Sequence, residues 1–180
     1  MLREIEARRS VRKFKDAPVP DETLMALLES ARLAPSGHNT QPWHFIIVKN
    51  AQTRARLSEA NHNQAWMLGA PVFIVCTADI GRRDPAKAGV LVDETSPEPA
   101  LKQVIRDAAI AVTHILLEAE HMGLAVCWAG WFAQRDVKKI MRIPADQYVV
   151  GILCVGYGDE APAPRPRRPL KDMVRYESWD

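Results

Sequence analysis

The sequence VIRDAAIAVTHILLEAEH, residues 104–121, is the longest stretch of helical pattern in the chain. Apolar side chains recur along it at helical spacing and form one broad stripe, and Gly123 then provides a helix stop. The members of the stripe are Ile105, Ala108, Val112, Ile115, Leu116 and Ala119. Because so much of this helix is apolar, we expect it to lie at the centre of the fold.

Four short runs of β-branched, aromatic and other apolar residues surround this helix in sequence and predict strands at 45–48, 72–77, 125–128 and 149–155. Each run is continuous rather than alternating, which indicates a sheet covered on both faces. Two further helices are predicted, one from an N-cap at Asp21 to the Ala34-Pro35 stop and one at 134–141 before Pro144. The sequence therefore predicts one α+β domain over residues 1–180, without internal repeats.

Composition narrows the classes of function. The chain has 180 residues, 47% of them apolar, with 24 basic and 22 acidic side chains and a net charge of +2. This suffices for one domain with a sizeable core and argues against a non-specific nucleic-acid binder or an acidic disordered chain. The positive excess lies at the two ends, since residues 1–16 carry six basic and three acidic side chains and residues 161–180 carry five and three.

The cysteines and the N-terminus indicate a cytoplasmic protein. Cys76, Cys127 and Cys154 are widely spaced in apolar context, which predicts three buried thiols rather than disulfides or a zinc site. No signal peptide or membrane-spanning stretch is recognised, so neither export nor a membrane is expected.

Two segments are predicted to lack regular structure. Residues 79–98 are too long and irregular for a simple connection, and we expect a lid or variable substrate region over 81–103. Residues 157–180 are expected to form an extended C-terminal tail, because four prolines lie between Gly156 and Pro169. This tail carries Arg165, Arg167 and Arg168.

Several familiar motifs are weak in this chain. The sequence Gly156-Tyr157-Gly158-Asp159-Glu160-Ala161 matches a dinucleotide-binding fingerprint by letters, but prolines follow where a helix should begin. His114 and His121 are seven residues apart on one helix, or roughly 10 Å, too far to share one metal ion. No metal site is therefore predicted, and no Gly-x-Ser-x-Gly nucleophile motif is present.

Two polar motifs are harder to explain as plain surface. The first, Arg8-Arg9-Ser10-Val11-Arg12, places three guanidinium groups and a hydroxyl within five residues, a combination suited to phosphate. The second is the loop APSGHNTQPW at 34–43, whose Asn39 and Gln41 amides offer the donor and acceptor pairs that would read the edge of a heterocycle.

Together with Gly123-Leu124-x-x-Cys127-Trp128-x-Gly130, Gly156-Tyr157 and Arg165-Pro166-Arg167-Arg168-Pro169-Leu170, these motifs resemble the nitroreductase family of FMN-dependent oxidoreductases. The resemblance extends from residue 8 to residue 170. It implies an α+β fold with a mostly antiparallel sheet, a homodimer, and FMN bound non-covalently at the subunit interface. It also implies NADH or NADPH as hydride donor and a nitroaromatic, quinone or similar electron-poor small molecule as acceptor.

The resemblance implies a cofactor-binding set residue by residue. Arg8 and Ser10, with Arg165 and Arg167, would hold the phosphate, and Arg12 would lie near N1 and the C2 carbonyl of the ring. Asn63 would read the pyrimidine edge, and the backbone at Ala129 and Gly130 would face N5, the reactive centre, so that no catalytic side chain is needed. The set is completed by Arg9 and Trp128 and by a loop from the partner subunit, with Pro35, Ser36, Gly37 and Asn39.

The sequence is also compatible with other functions. The same fold would serve an FMN-dependent dehydrogenase or a reductive dehalogenase of a specific metabolite, and a remote alternative is a non-enzymatic module that binds anions or nucleic acid with its basic ends. Trp131 and Phe132 are large where many members have smaller residues. They either narrow the pocket or offer a stacking surface to a flat substrate.

Overall fold

The computed structural model describes residues 1–179, in which five α-helices flank a four-stranded sheet. The helices are α1 (Arg3–Ala7), α2 (Asp21–Arg32), α3 (Ala51–Ala60), α4 (Pro99–His121) and α5 (Gln134–Met141). The strands are β1 (Trp43–Val48), β2 (Val72–Asp79), β3 (Ala125–Ala129) and β4 (Gln147–Gly156). Short 3₁₀ turns occupy Gly37–Asn39, Ala65–Gly69, Ile80–Arg82, Pro85–Lys87 and Leu170–Asp172.

The sheet has the order β1-β2-β4-β3, and all three pairings are antiparallel. All four predicted strands are present, and each extends one or two residues beyond its predicted bounds at one end or at both ends. The predicted α+β fold with a mostly antiparallel sheet is confirmed.

Both faces of the sheet are covered, as the continuous apolar runs predicted. Along β2, Ile74 and Cys76 belong to a core that includes α2 and α4, whereas Phe73 and Val75 face a second core with α3 and α5. This is the period-2 alternation of a strand, with apolar side chains on each side. Burying each of these large side chains is worth about 1.5–3 kcal/mol, which makes β2 the central support of the domain.

Helix α4 lies on the face of the sheet that carries Ile74 and Cys76. It packs against α2 and β2, so its predicted central position is confirmed. It begins at Pro99, five residues before the predicted start. Proline suits the first turn of a helix, where its missing N–H would have no partner. Residues 99–103, which were expected to belong to the lid or variable substrate region, are therefore helical.

The expected N-cap at Asp21 is wrong. Asp21 is the first helical residue, Pro20 occupies the cap position, and no side chain caps the helix. The Asp21 carboxylate instead accepts a hydrogen bond from Lys49 Nζ at 2.5 Å, just after β1. The carboxylate thus joins α2 to the sheet instead of accepting from the first helical N–H groups.

All three cysteines are buried and unpaired, as predicted. Burial raises the pKa of each thiol above its ordinary value. The thiolate, which is the reactive form, is therefore disfavoured at all three positions. Over the described residues, the structure contains no group of three metal-ligating side chains and no helix long and apolar enough to cross a membrane.

The segment between β2 and α4 is attached to the domain at several points. Val92 is fully buried, and its N–H donates to the Ala145 carbonyl. Lys138 Nζ donates to the carbonyls of Val92 at 2.6 Å and Ala145 at 2.9 Å, and burial lowers the Lys138 pKa. Glu94 accepts from the Gln134 N–H at the start of α5. Residues 92–94 are thus fastened to α5 and to the loop before β4.

Candidate functional site

The two ends of the chain enclose a cavity of about 610 Å³, which we call the terminal cleft. Its walls are residues 5–12, except Ala7 and Val11, together with a second segment near the C-terminus. The lining residues are Ile5, Glu6, Arg8, Arg9, Ser10, Arg12, Glu160, Pro162, Ala163, Pro164, Arg165 and Arg167. Main-chain contacts bring the two segments together, because Lys15 N–H donates to the Tyr157 carbonyl at 2.8 Å and Asp159 N–H to the Lys13 carbonyl at 2.9 Å.

Positive charge dominates this cleft. The guanidinium groups of Arg8, Arg12, Arg165 and Arg167 have no hydrogen-bond acceptor or salt-bridge partner within residues 1–179. Of the two carboxylates in the lining, Glu160 accepts from the backbone N–H groups of Arg12 at 2.5 Å and Lys13 at 3.2 Å. Several unpartnered guanidinium groups beside the Ser10 hydroxyl are the donor set that a phosphate dianion requires.

Arg9 also lines the cleft, but its Nη1 group is engaged by the protein's own backbone. Its Nη1 lies 2.7–2.9 Å from the carbonyls of Glu6, Ala7 and Arg8, at the end of α1. These contacts satisfy helix-end carbonyls that would otherwise lack a partner. Nε of Arg9 is buried and has no partner among the described residues. The side chain therefore shapes the wall of the cleft that carries Arg8 and Ser10.

A second group of contacts joins Arg12 to the turn that contains Asn63. The Arg12 guanidinium lies 5.5 Å from the ring centroid of Trp66, in cation–π geometry. The indole N–H of Trp66 donates to Gln64 Oε1 at 3.0 Å. His62 and Asn63 both have positive φ, 56° and 54°, an uncommon conformation for residues other than glycine.

The same turn contacts the end of β3. The His62 ring stacks on Trp131, with ring centroids 4.0 Å apart. Trp131 follows Ala129 and Gly130, and a Cβ built on Gly130 would meet nothing within 4 Å. Side-chain contacts therefore link three segments that are far apart in sequence, those around Arg12, Asn63 and Ala129-Gly130.

Trp128 lies differently from its neighbours. Its indole packs against Gly151 of β4, so closely that a Cβ at position 151 would lie 2.6 Å from Cδ1 and 2.9 Å from Cε2. The side chain thus packs against the sheet and the core that includes α2 and α4, and it does not line the terminal cleft.

The loop of Pro35, Ser36, Gly37 and Asn39 also lies outside the terminal cleft of its own chain. Gly37 N–H donates to Asp107 Oδ2 of α4 at 3.1 Å, and Gln41 N–H donates to Ser36 Oγ at 3.0 Å. Pro35, Gly37 and Asn39 are exposed. Within one chain, this loop is therefore attached to α4 through Asp107 and exposes three of its residues to solvent.

Glu160, Gln64 and Trp66 belong to the site although the sequence did not single them out. Glu160 lies in the glycine-containing motif after β4, and its carboxylate holds the backbone of residues 12 and 13. The sequence offers no signal for Trp66, because only the fold brings it to Arg12.

Comparison with known proteins identifies the family. The model of the nitroreductase family matches residues 5–157. The chain belongs to the nitroreductase family. The family expected from the motifs is thereby confirmed.

Individual relatives of this nitroreductase-family chain agree over nearly its whole length. A protein of Methanothermobacter thermautotrophicus, named as an NADH dehydrogenase/NAD(P)H nitroreductase, is 29% identical over 183 residues, covering 99% of this chain and 87% of the relative. Among solved structures, B. megaterium NfrA2 superposes with a TM-score of 0.88 at 29% identity, over 99% of this chain and 74% of its own. The NADPH:FMN oxidoreductase from Vibrio harveyi, complexed with NAD⁺, gives 0.87 at 27% identity, over 98% and 76%.

Proposed function

We propose that this protein is an FMN-dependent NAD(P)H oxidoreductase that holds the FMN phosphate in the terminal cleft. The observation that carries the proposal is the set of four guanidinium groups, from two segments about 150 residues apart, that meet in one cavity without a protein acceptor. Charge-assisted hydrogen bonds from arginine are the strong, directional contacts that phosphate recognition uses. Family membership and the flavin and nicotinamide named for the relatives point to the same cofactors.

The ring of the cofactor is proposed to extend from the cleft toward Arg12, Asn63 and the end of β3. FMN, when bound, supplies the hydride chemistry between NAD(P)H and the acceptor. Arg12 would contribute positive charge at the ring, and Trp66 would hold its guanidinium in place. The backbone at Ala129 and Gly130 would approach N5 in the open space that adjoins Gly130. The protein thus supplies placement and electrostatics, and no side chain is proposed to transfer a proton.

The acceptor is proposed to be a nitroaromatic, a quinone or a similar electron-poor small molecule. Names among the relatives include NAD(P)H nitroreductase and FMN reductase. Residues 81–98 are proposed to form the variable wall of the acceptor site, held by Val92, Glu94 and Lys138.

The working unit is proposed to be a homodimer. The loop at 35–39 lies outside its own chain's cleft and is exposed, as expected if it contacts FMN bound to a second copy. The C-terminal tail also exposes large apolar side chains, with Tyr176 84% and Trp179 85% accessible. Exposed apolar surface of this kind is typical of a segment that packs against a partner. Sedimentation of the purified protein tests this, and a monomer at micromolar concentration would contradict it.

A spectrum of the purified protein tests the proposed function. The protein should be yellow or take up FMN stoichiometrically, its flavin absorption should bleach with NADH or NADPH without oxygen, and the absorption should return on adding a quinone or nitroaromatic. A colourless protein that takes up no FMN would refute the proposal. Bleaching by a metabolite but by neither nicotinamide would favour a dehydrogenase on the same fold.

A further inference from the structure

A second cationic cavity lies outside the terminal cleft. It has a volume of about 230 Å³ and is lined by Gly37, Arg83, Gln103, Arg106 and Asp107. We call it the arginine cavity. It lies between the turn after β2, the first turns of α4 and the loop that precedes β1, and it shares no lining residue with the terminal cleft.

The two arginines leave donors free in this cavity. Arg83 uses Nε to donate to Gln103 Oε1 at 2.7 Å, and Arg106 uses Nε to donate to the Lys102 carbonyl at 3.2 Å. Their Nη1 and Nη2 groups have no acceptor within residues 1–179. Because Nε is fixed in each case, the orientation of the guanidinium plane is restrained before any ligand binds. Less conformational entropy is then lost on binding.

One carboxylate faces the cavity and has its own partner. Asp107 Oδ2 accepts from the Gly37 N–H at 3.1 Å, so it supports the loop as well as reducing the local charge. With two guanidinium groups against one carboxylate, the lining carries a net positive charge of one (2 − 1 = 1). A Cβ at Gly37 would lie 3.3 Å from Arg83 Nη1, so the guanidinium directly adjoins the loop.

We propose that the arginine cavity binds a phosphate group of the nicotinamide nucleotide. This rests on the proposed function, in which the terminal cleft is already occupied by the FMN phosphate. Among the remaining reactants, nitroaromatics and quinones need carry no phosphate, whereas NADH and NADPH always do. A cationic cavity beside the 35–39 loop, which is proposed to reach the flavin, suits a reactant that docks near the ring and leaves after each transfer.

The phosphate has two possible positions on the nucleotide. If the cavity takes the 2′-phosphate, it favours NADPH over NADH, and if it takes the pyrophosphate, it serves both nucleotides equally. The shared chemistry is a phosphate oxyanion held by two arginines, which weakens as salt is added.

The experiment compares holoprotein carrying Arg106→Gln or Arg83→Gln with Arg135→Gln, a control whose exposed arginine lies on α5 outside both cavities. Two quantities are measured at fixed ionic strength. The first is the half-saturating concentration of NADPH and of NADH for flavin bleaching, and the second is the dissociation constant of adenosine 2′,5′-bisphosphate by calorimetry. Arg106 is exposed and donates only within its own helix, so Arg106→Gln should leave the fold unchanged even if Arg83→Gln does not.

We expect each cavity variant to raise the half-saturating concentration about tenfold, consistent with the loss of one charge-assisted hydrogen bond. An effect on NADPH alone, with weaker binding of the bisphosphate, identifies the 2′-phosphate. An equal effect on both nucleotides identifies the pyrophosphate. Unchanged constants in Arg106→Gln, with normal flavin bleaching, overturn this inference and leave the proposed function standing. Loss of bleaching in the unmodified protein would instead overturn the proposed function.

Discussion

Replacing Arg165 and Arg167 by glutamine should greatly weaken FMN binding without unfolding the protein. Both side chains line the terminal cleft, and neither has a partner within residues 1–179. A hydrogen bond to a charged group contributes about 1.5–3 kcal/mol, and the exposure of both residues places each near the lower limit. Together they contribute about 3 kcal/mol, so FMN should bind roughly two orders of magnitude more weakly.

The stability of the fold should hardly change in this variant. Residues 163–169 are exposed and belong to neither hydrophobic core. Surface replacements of this kind change the free energy of unfolding by less than about 0.5 kcal/mol. A loss of FMN would therefore report on binding.

Arg168→Gln is the matched control, because Arg168 adjoins Arg167 and is exposed but does not line the cleft. The dissociation constant of FMN is measured by quenching of flavin fluorescence on titrating apoprotein, and stability by urea denaturation. The reasoning is refuted if the double variant binds FMN within about threefold of the unmodified protein. It is equally refuted if Arg168→Gln weakens binding as much.

Three further predictions concern stability. Gly151→Ala should destabilise the fold by about 1–3 kcal/mol in urea denaturation, because the new methyl group meets the Trp128 indole. The control Gly69→Ala should be nearly neutral in the same assay, because its Cβ would meet only Phe14 at 3.9 Å. Lys138→Met should cost about 1–3 kcal/mol, since it leaves the Val92 carbonyl without its side-chain donor and the Ala145 carbonyl with the Val92 N–H alone. Hydrogen exchange should then rise over 88–98 but not in the exposed control Lys139→Met. The His121–Glu4 pair at 3.0 Å should attach α1 most firmly between about pH 4.5 and 6.5.

The pKa shifts of His121 and Glu4 determine how the stability contributed by this pair changes with pH. The hydrogen bond to Glu4 raises the His121 pKa, so its stabilising contribution is complete below the ordinary value of 6.5 and is lost as pH rises through the raised pKa. The hydrogen bond from His121 lowers the Glu4 pKa, so that contribution is complete above 4.5 and is lost as pH falls through the lowered pKa. Glu4→Gln should flatten thermal stability against pH above 6.5. An unchanged profile would show that the pair does not attach α1.

These results would be contradicted in distinguishable ways. Equal stability of Gly151→Ala and the unmodified protein would show that Trp128 moves aside without cost. Unchanged exchange over 88–98 in Lys138→Met would show that Val92 and Glu94 hold this segment without the lysine.

Much of the fold could be predicted because hydrophobic periodicity is local. The stripe on residues 104–121 indicated the central helix, and the continuous run of β2 indicated a strand buried on both faces. The start of α4 was placed five residues late, because the helix begins at Pro99 with no side-chain cap, although Leu101 already belongs to its buried face. Asp21 was assigned as an N-cap because the sequence does not show that Lys49 lies beside it.

The candidate site, like the fold, was predicted only in part from the sequence. The sequence by itself singled out Arg8, Ser10 and Arg12 as candidates for phosphate binding, since donor type and local spacing can be read along the chain. The family resemblance added Arg165 and Arg167 at the other end. Only the tertiary structure decided that these ends enclose one cleft and that Arg12 lies over Trp66. It also separated the 35–39 loop and the arginine cavity from that cleft. Strand pairing and helix packing join residues that are distant in sequence, and no local pattern encodes those distances.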